Sequence, residues 1–151
     1  MSIFEKNKSK SSNYTIIIGC GHLGADIANV ISDTGENVLI IDKDQDAFKR
    51  LSSSYGGLAV VGDGTSLSVL ADADIRKATA VVAVTNDDNI NIMVAQLAKE
   101  MFHVNHVIAR LYDSERECVY NEFGIDTICP ALLSAKEIDK ILGIQFVEDN
   151  E

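Results

Sequence analysis

Six short runs dense in valine and isoleucine recur along this chain, and each is apolar at nearly every position. They are "YTIIIG" from Tyr14, "NVLIID" from Asn37, "LAVVGD" from Leu58, "TAVVAVT" from Thr79, "HVIARL" from His106 and "DTICP" from Asp126. A strand with one wet face alternates apolar and polar residues, whereas a strand covered on both faces does not. The runs therefore predict a parallel sheet clad in helices. Helical patterns fill the gaps. Leu23, Ile27, Ala28, Val30 and Ile31 carry helical spacing after the first run, and Gly35 stops it. Further helices are expected from about Asp44 to Ser54, from Ser66 to Ala73 and from Ser114 to Phe123. Another starts near Asp87 with Ile90, Val94, Leu97 and Met101 on one face, and Pro130 opens the last, with Leu133, Ile138, Ile141 and Leu142 apolar. Such β-α units, joined by right-handed crossovers, give a doubly wound, Rossmann-like sheet of six parallel strands with helices on both faces. A chain of 151 residues fits one domain. The domain is expected over 14–142, with 1–13 a flexible tail and 143–151 a short C-terminal one.

The net charge of −10 makes the chain a poor partner for nucleic acid or for anionic lipid. Cys20, Cys118 and Cys129 are odd in number and far apart, so neither a zinc site nor a disulfide framework is implied, and a reducing compartment fits. "MSIFEKNKSKSSN" has no apolar core of the kind a signal peptide needs. No apolar run approaches the ~20 residues of a membrane span, so no direct insertion is expected and any membrane connection runs through a partner.

The first run ends in "GCGHLG", which fits G-x-G-x-x-G. Gly19 permits the turn out of the strand, Gly21 lets backbone approach a pyrophosphate, and Gly24 lets the helix pack close to the sheet. The helix start offers free N–H groups and a positive dipole end. Asp42 ends the second run 18 residues past Gly24, near the spacing of a ribose-binding carboxylate. A carboxylate there accepts from ribose hydroxyls and repels a 2′-phosphate, which disfavours NADP. Capping of the next helix is the plainer role for Asp42 and Asp44. Lys43 beside them reads as a solvated charge or a phosphate ligand.

"GDGT" ends the third run. Asp63 can accept the adenine amino group, with Gly62 and Gly64 leaving room, or the segment is a turn whose Thr65 or Ser66 caps a helix. In "TNDDN", Thr85 and Asn86 are candidates for ribose or phosphate, while Asp87 and Asp88 read as helix-start acids. His22 and Leu23 sit inside the glycine turn. His22 can donate to a phosphate, or it is a surface loop residue. Cys20 at a helix start can have a lowered pKa, or it simply fills the turn. Arg110, ending the fifth run, can neutralise phosphate, pair across an interface, or pair on the surface with Asp113 or Glu115. No nucleophile–base motif or P-loop lysine stands out.

Nearly the whole chain, from about Tyr14 to Ile141, resembles a known family. The segments that carry it are "IIIGCGHLG", "LIIDKD", "VVGDGTSLSVLADADIRKATAVVAVTNDDNINIMVAQLAK", "VIARLYDSE" and "FGIDTICP". Together they look like the nucleotide-binding N-terminal domain of TrkA-type potassium uptake regulators, the KTN or RCK N-terminal domain. The resemblance implies a cytoplasmic regulatory subunit, peripheral to the inner face of the membrane, that binds AMP, ADP, ATP or NAD(H) and gates a potassium transporter or channel subunit. It implies dimers or larger rings. By position it implies phosphate-loop roles for Gly19, Gly21 and Gly24, a ribose role for Asp42 and an adenine role for Asp63. Asn91 matches the recurrent asparagine after the paired acids, and Arg110 the arginine that closes the fifth strand. Two departures stand out. Many members have arginine where this chain has His22, which suggests a ligand with less phosphate charge, AMP or NAD rather than ATP. Members also often carry a C-terminal lobe, which a second regulatory subunit would supply here. The rival reading is a small NAD-dependent oxidoreductase. The glycine loop supports it equally, but such enzymes need further chain to hold a substrate over the nicotinamide.

Overall fold

The computed structural model describes residues 13–144, apart from the side chains of 117–119. Of the tails expected over 1–13 and 143–151, residues 1–12 and 145–151 lie outside the described residues, as does the Cys118 side chain. Six strands form at the six apolar runs: β1 Tyr14–Ile18, β2 Asn37–Asp42, β3 Leu58–Val61, β4 Ala80–Ala83, β5 His106–Arg110 and β6 Asp126–Ile128. All pair in parallel, in the order β3-β2-β1-β4-β5-β6. The helices are α1 His22–Asp33, α2 Leu67–Asp72, α3 Asp88–Gln96, α4 Glu117–Glu122 and α5 Pro130–Leu142.

Successive residues of the central strands serve opposite cores, which is why the runs show no alternation. Ile16, Ile18, Leu39, Ile41, Val81 and Val107 pack with Leu70, Val94 and Ala98 of the chain's α2–α3 side. Ile17, Val38, Ile40 and Val82 pack with Ala25 and Ala28 of α1 and with Ala47. Burial of such strands on both faces is the main stabilising term of the domain.

Three expectations need correction. The helix expected over Asp44–Ser54 is a 3-10 turn, Gln45–Arg50, capped by Asp44. It stops where the backbone after it finds side-chain partners: Ser52 N–H donates to Asn29 Oδ1 of α1 at 2.9 Å and Ser54 N–H to the Ser52 hydroxyl at 3.2 Å. The helix starting at Asp88 runs into a π turn, Leu97–Met101, where the Phe102 N–H reaches back to the Leu97 carbonyl. The wider turn rotates the face, so Met101 is 48 % exposed while Phe102 is buried. Pro130 does open α5 at its first turn, yet that helix buries none of its residues. Leu133, Ile138, Ile141 and Leu142 all face outward.

Candidate functional site

The strand order reverses between β1 and β4, and the crevice above their carboxyl ends is where open α/β sheets hold ligands. The glycine turn forms one lip of it. Gly19 has φ +106°, and a Cβ there would stand 2.9 Å from the Thr85 nitrogen on the neighbouring strand end. Gly24 lies in α1 where a Cβ would fall 1.9 Å from the Gly19 carbonyl oxygen. The fold therefore demands glycine at both positions. Gly21 differs. Its φ of −77° and ψ of −167° suit any residue, and a Cβ would meet no atom within 4 Å. It caps α1 without a side-chain hydrogen bond, so the first-turn N–H groups stay uncapped by any side chain.

Asp42 is half-buried at the end of β2 and braces this lip. Its Oδ2 accepts from the Cys20 N–H and its Oδ1 from the Asp44 N–H, both at 2.8 Å. The capping alternative falls to Asp44, which accepts from the Asp46 N–H at 2.9 Å. Each Asp42 oxygen keeps a further lone pair for a ribose hydroxyl. Asp63 forms the turn that is one of its two sequence readings. Its Oδ1 accepts from the N–H and hydroxyl of Thr65 at 2.9 and 2.7 Å, and its Oδ2 lies 3.7 Å from the Lys43 ammonium. The Thr65 bonds, with a smaller effect of Lys43, hold the Asp63 carboxyl below its ordinary range. It is ionised at neutral pH and able to accept from an amino group. Ser66 caps α2. At Gly64 a Cβ would press on Ile18 at 2.4 Å, so glycine there serves packing.

The opposite lip hangs on Asn91, which is fully buried. Asn91 Oδ1 accepts from the Thr85 N–H at 2.9 Å and from the Thr85 hydroxyl at 2.7 Å. Its Nδ2 donates to the Thr85 carbonyl at 3.0 Å and to the Arg110 carbonyl at 2.9 Å. One side chain thus ties α3 to the ends of β4 and β5. Arg110 turns inward. Its Nη2 donates to the Val84 and Thr85 carbonyls at 3.0 and 2.8 Å, and its Nε is buried without a partner. Asp113, one of the surface partners considered for it, pairs instead with Arg116 at 3.4 Å. Asp87 caps α3, but Asp88 reaches across to the N–H groups of Tyr112 and Asp113.

Two adjoining clefts result. One is walled by Gly19, Asp42, Lys43, Gly62, Asp63 and Gly64; the other by Cys20, Gly21, Asp44, Arg50 and Arg110. Gly19, Asp42, Thr85 and Asn86 line both. Four residues of the sequence-based set are not brought there. Gly24 packs beneath the turn, Thr65 serves Asp63, and His22 is exposed and lines neither cleft. Leu23 faces an apolar groove with Ile27, Val82 and Ile108. Arg50 was not foreseen. It reaches the glycine turn only because the 3-10 turn folds back there, and no spacing in the sequence marks it.

The Cys20 thiol is buried and donates weakly to the Ala47 carbonyl at 3.4 Å. Burial pushes its pKa up and the Asp42 carboxylate adds to that, against a smaller opposing pull from Arg50. The filler reading of this cysteine holds. Iodoacetamide at about pH 8 is expected to label Cys20 only after denaturant opens the fold. Rapid labelling of the native protein, mapped by mass spectrometry, would contradict this.

Comparison with known proteins agrees with this architecture. The TrkA-N domain model matches residues 15–130. The chain is 40 % identical over 125 residues to the Trk system potassium uptake protein TrkA of Streptomyces coelicolor, covering 83 % of this chain and 56 % of that protein. It thus spans about half the length of that relative. Its fold is similar to the TrkA-N domain of inner membrane protein ybaL from Escherichia coli, with TM-score 0.76, 15 % identity, and coverage of 88 % of this chain and 98 % of that one. It is similar also to GsuK bound to ADP, with TM-score 0.72, 23 % identity, and coverage of 89 % and 35 %. The family model over most of the chain, the six-stranded topology and the 40 % identity lead to one conclusion: the chain belongs to the TrkA-N family.

Proposed function

We propose that this chain is a regulatory domain that holds an adenine nucleotide or NAD(H) across the β1–β4 crevice and passes its ligand state to a membrane potassium transporter or channel subunit. The observation that carries the reading is Gly21. The fold does not need glycine there, while a phosphate approaching the start of α1 does. Nucleoside and phosphate would occupy the two adjoining clefts, with Asp42 between them at the ribose. The same carboxylate argues against NADP, whose 2′-phosphate it would repel. The ADP held by the similarly folded GsuK and the membership of the TrkA-N family support a regulatory domain over the oxidoreductase alternative.

A ligand shifts an equilibrium only by contacts that differ between two states. Asn91 and Asp88 link the Thr85–Asn86 lip to β5 and the segment after it, so a change at the lip has a path to the far edge of the sheet. The action is placed at the cytoplasmic face of the membrane, through a partner, in a dimer or larger ring. A partner chain would supply the pore. Among the described residues no helix is long and apolar enough to cross a membrane.

Calorimetry with AMP, ADP, ATP, NADH and NADPH tests the reading. Binding of at least one of the first four is expected, with NADPH much weaker than NADH. No binding of any would overturn the proposal, and NADH consumption with carbonyl substrates would favour the oxidoreductase. Asp42→Ala is expected to weaken binding by more than tenfold, because it removes a charged acceptor worth about 1.5–3 kcal/mol. The variant also frees the Cys20 and Asp44 N–H groups that Asp42 braces. Unchanged affinity would remove Asp42 from the ribose site.

A further inference from the structure

We propose that Asp88 is the positioning residue through which this site signals that it is occupied. Ligand contact at Asn86 tightens a polar tie between α3 and the segment Tyr112–Arg116, which lines neither cleft. This rests on the nucleotide reading above and adds to it the output. Thr85 and Asn86 of the lip line both clefts, but they are not equivalent. Thr85 is committed within the fold: its hydroxyl donates to Asn91 Oδ1 at 2.7 Å and accepts from the Asp87 N–H at 3.2 Å. Asn86 is exposed, and among the described residues its side-chain amide has no hydrogen-bond partner. It is the lip side chain open to a ligand, and only Asp87 separates it from α3.

The two neighbouring acids do different work. Asp87 closes the helix's own first turn, accepting from the Asn89 and Ile90 N–H groups at 2.9 and 3.3 Å. Asp88 reaches out of the helix. Its Oδ1 accepts from the Tyr112 N–H at 2.8 Å and its Oδ2 from the Asp113 N–H at 3.1 Å. Only a carboxylate takes two successive N–H groups in this way, one on each oxygen. Beside it, Asn89 Oδ1 accepts from Arg116 Nη1 at 3.1 Å, and Arg116 Nε pairs with Asp113 at 3.4 Å. Asn89, Tyr112, Asp113 and Arg116 are exposed, so water competes for the tie. The segment therefore has two arrangements, tied to α3 or bonded to water, of the kind that low-stability regions exchange between. A ligand on Asn86 steadies the first turn of α3 and favours the tied one. The segment leads into α4 and β6, so the tie orders the far edge of the sheet.

The test is hydrogen–deuterium exchange of the full chain with and without ADP or NADH, with calorimetry in parallel to report binding. In the wild type, bound nucleotide is expected to slow exchange over residues 111–123 at least about fivefold. Residues 73–79, at the amino ends of the strands, should change by less than about twofold. Asp88→Ala should speed exchange over 111–123 in the free protein and erase the nucleotide-dependent difference, while affinity stays within about threefold. Asp88→Asn keeps one acceptor and should keep part of the difference. A merely structural Asp88 would leave the nucleotide-dependent difference intact in Asp88→Ala. The signal would then run through the Tyr112 ring, 5.2 Å from the Arg110 guanidinium, and the proposal is overturned. Bound nucleotide that leaves 111–123 unchanged in the wild type also overturns it. Both results leave the nucleotide reading standing, whereas no binding of ADP or NADH overturns both.

Discussion

Gly21→Val abolishes nucleotide binding while the domain stays folded: that is the expected result, and the geometry of the turn is the reason. The backbone at Gly21 is in the extended region, and the space where a Cβ would stand is empty. Valine fits the conformation. Its stability cost is about 1 kcal/mol for a poor residue at a helix N-cap, or a few degrees of melting temperature. Its side chain occupies the approach to the start of α1, so a phosphate cannot reach the N–H groups. A fall in affinity of at least ~100-fold, about 2.7 kcal/mol, is expected by calorimetry. Gly24→Ala is the matching control with the opposite outcome. Its Cβ collides with the Gly19 carbonyl at a backbone that cannot yield, so that variant loses its cooperative melting transition. Retained binding by Gly21→Val would remove the glycine turn from the site.

Asn91→Ala is expected to lower stability by roughly 3–4 kcal/mol, read from urea unfolding. The side chain is fully buried and makes four hydrogen bonds. Its removal leaves the Thr85 N–H and the Thr85 and Arg110 carbonyls short of partners, at about 1–3 kcal/mol for each group left unpaired. The Arg110 guanidinium still holds the Thr85 carbonyl, so the loss stays below the sum of the four bonds. Nucleotide affinity should fall as well, since the Thr85–Asn86 lip is no longer fixed. Asn91→Asp keeps the acceptor but loses both donated bonds and places a carboxylate at a buried position, so it offers no rescue. A loss under about 1 kcal/mol for Asn91→Ala would show that the lip is held by other means.

Most of the architecture was legible in the chain because the central strands, buried on both faces, leave an unbroken apolar trace, although the edge strands β3 and β6 carry a similar trace and are largely exposed. All six strands begin within a residue of where "YTIIIG" through "DTICP" place them. The misreadings share a cause. Past Arg50, backbone bonds to the Asn29 and Ser52 side chains override a helical pattern, and at Met101 one wide π turn changes which residues face inward. Apolarity alone did not tell that Leu133 and Ile141 of α5 face outward, with Ile141 77 % exposed.

The site divides the same way. Gly19, Gly21, Gly24, Asp42 and Asp63 are readable because a β-α-β unit puts strand ends at set intervals, so their spacing in the chain is spacing in space. The sequence by itself thus determined a doubly wound sheet, the place of its crevice and the acid that ends β2 there. The tertiary structure decided what joins across the crevice. It set the Asp42 carboxylate on the Cys20 N–H, made Asn91 the knot between Thr85 and Arg110, sent His22 outward and delivered Arg50 to the glycine turn. Those pairings span gaps of 6 to 30 residues between side chain and backbone. No local periodicity records them, because they exist only once separate strand ends are packed side by side.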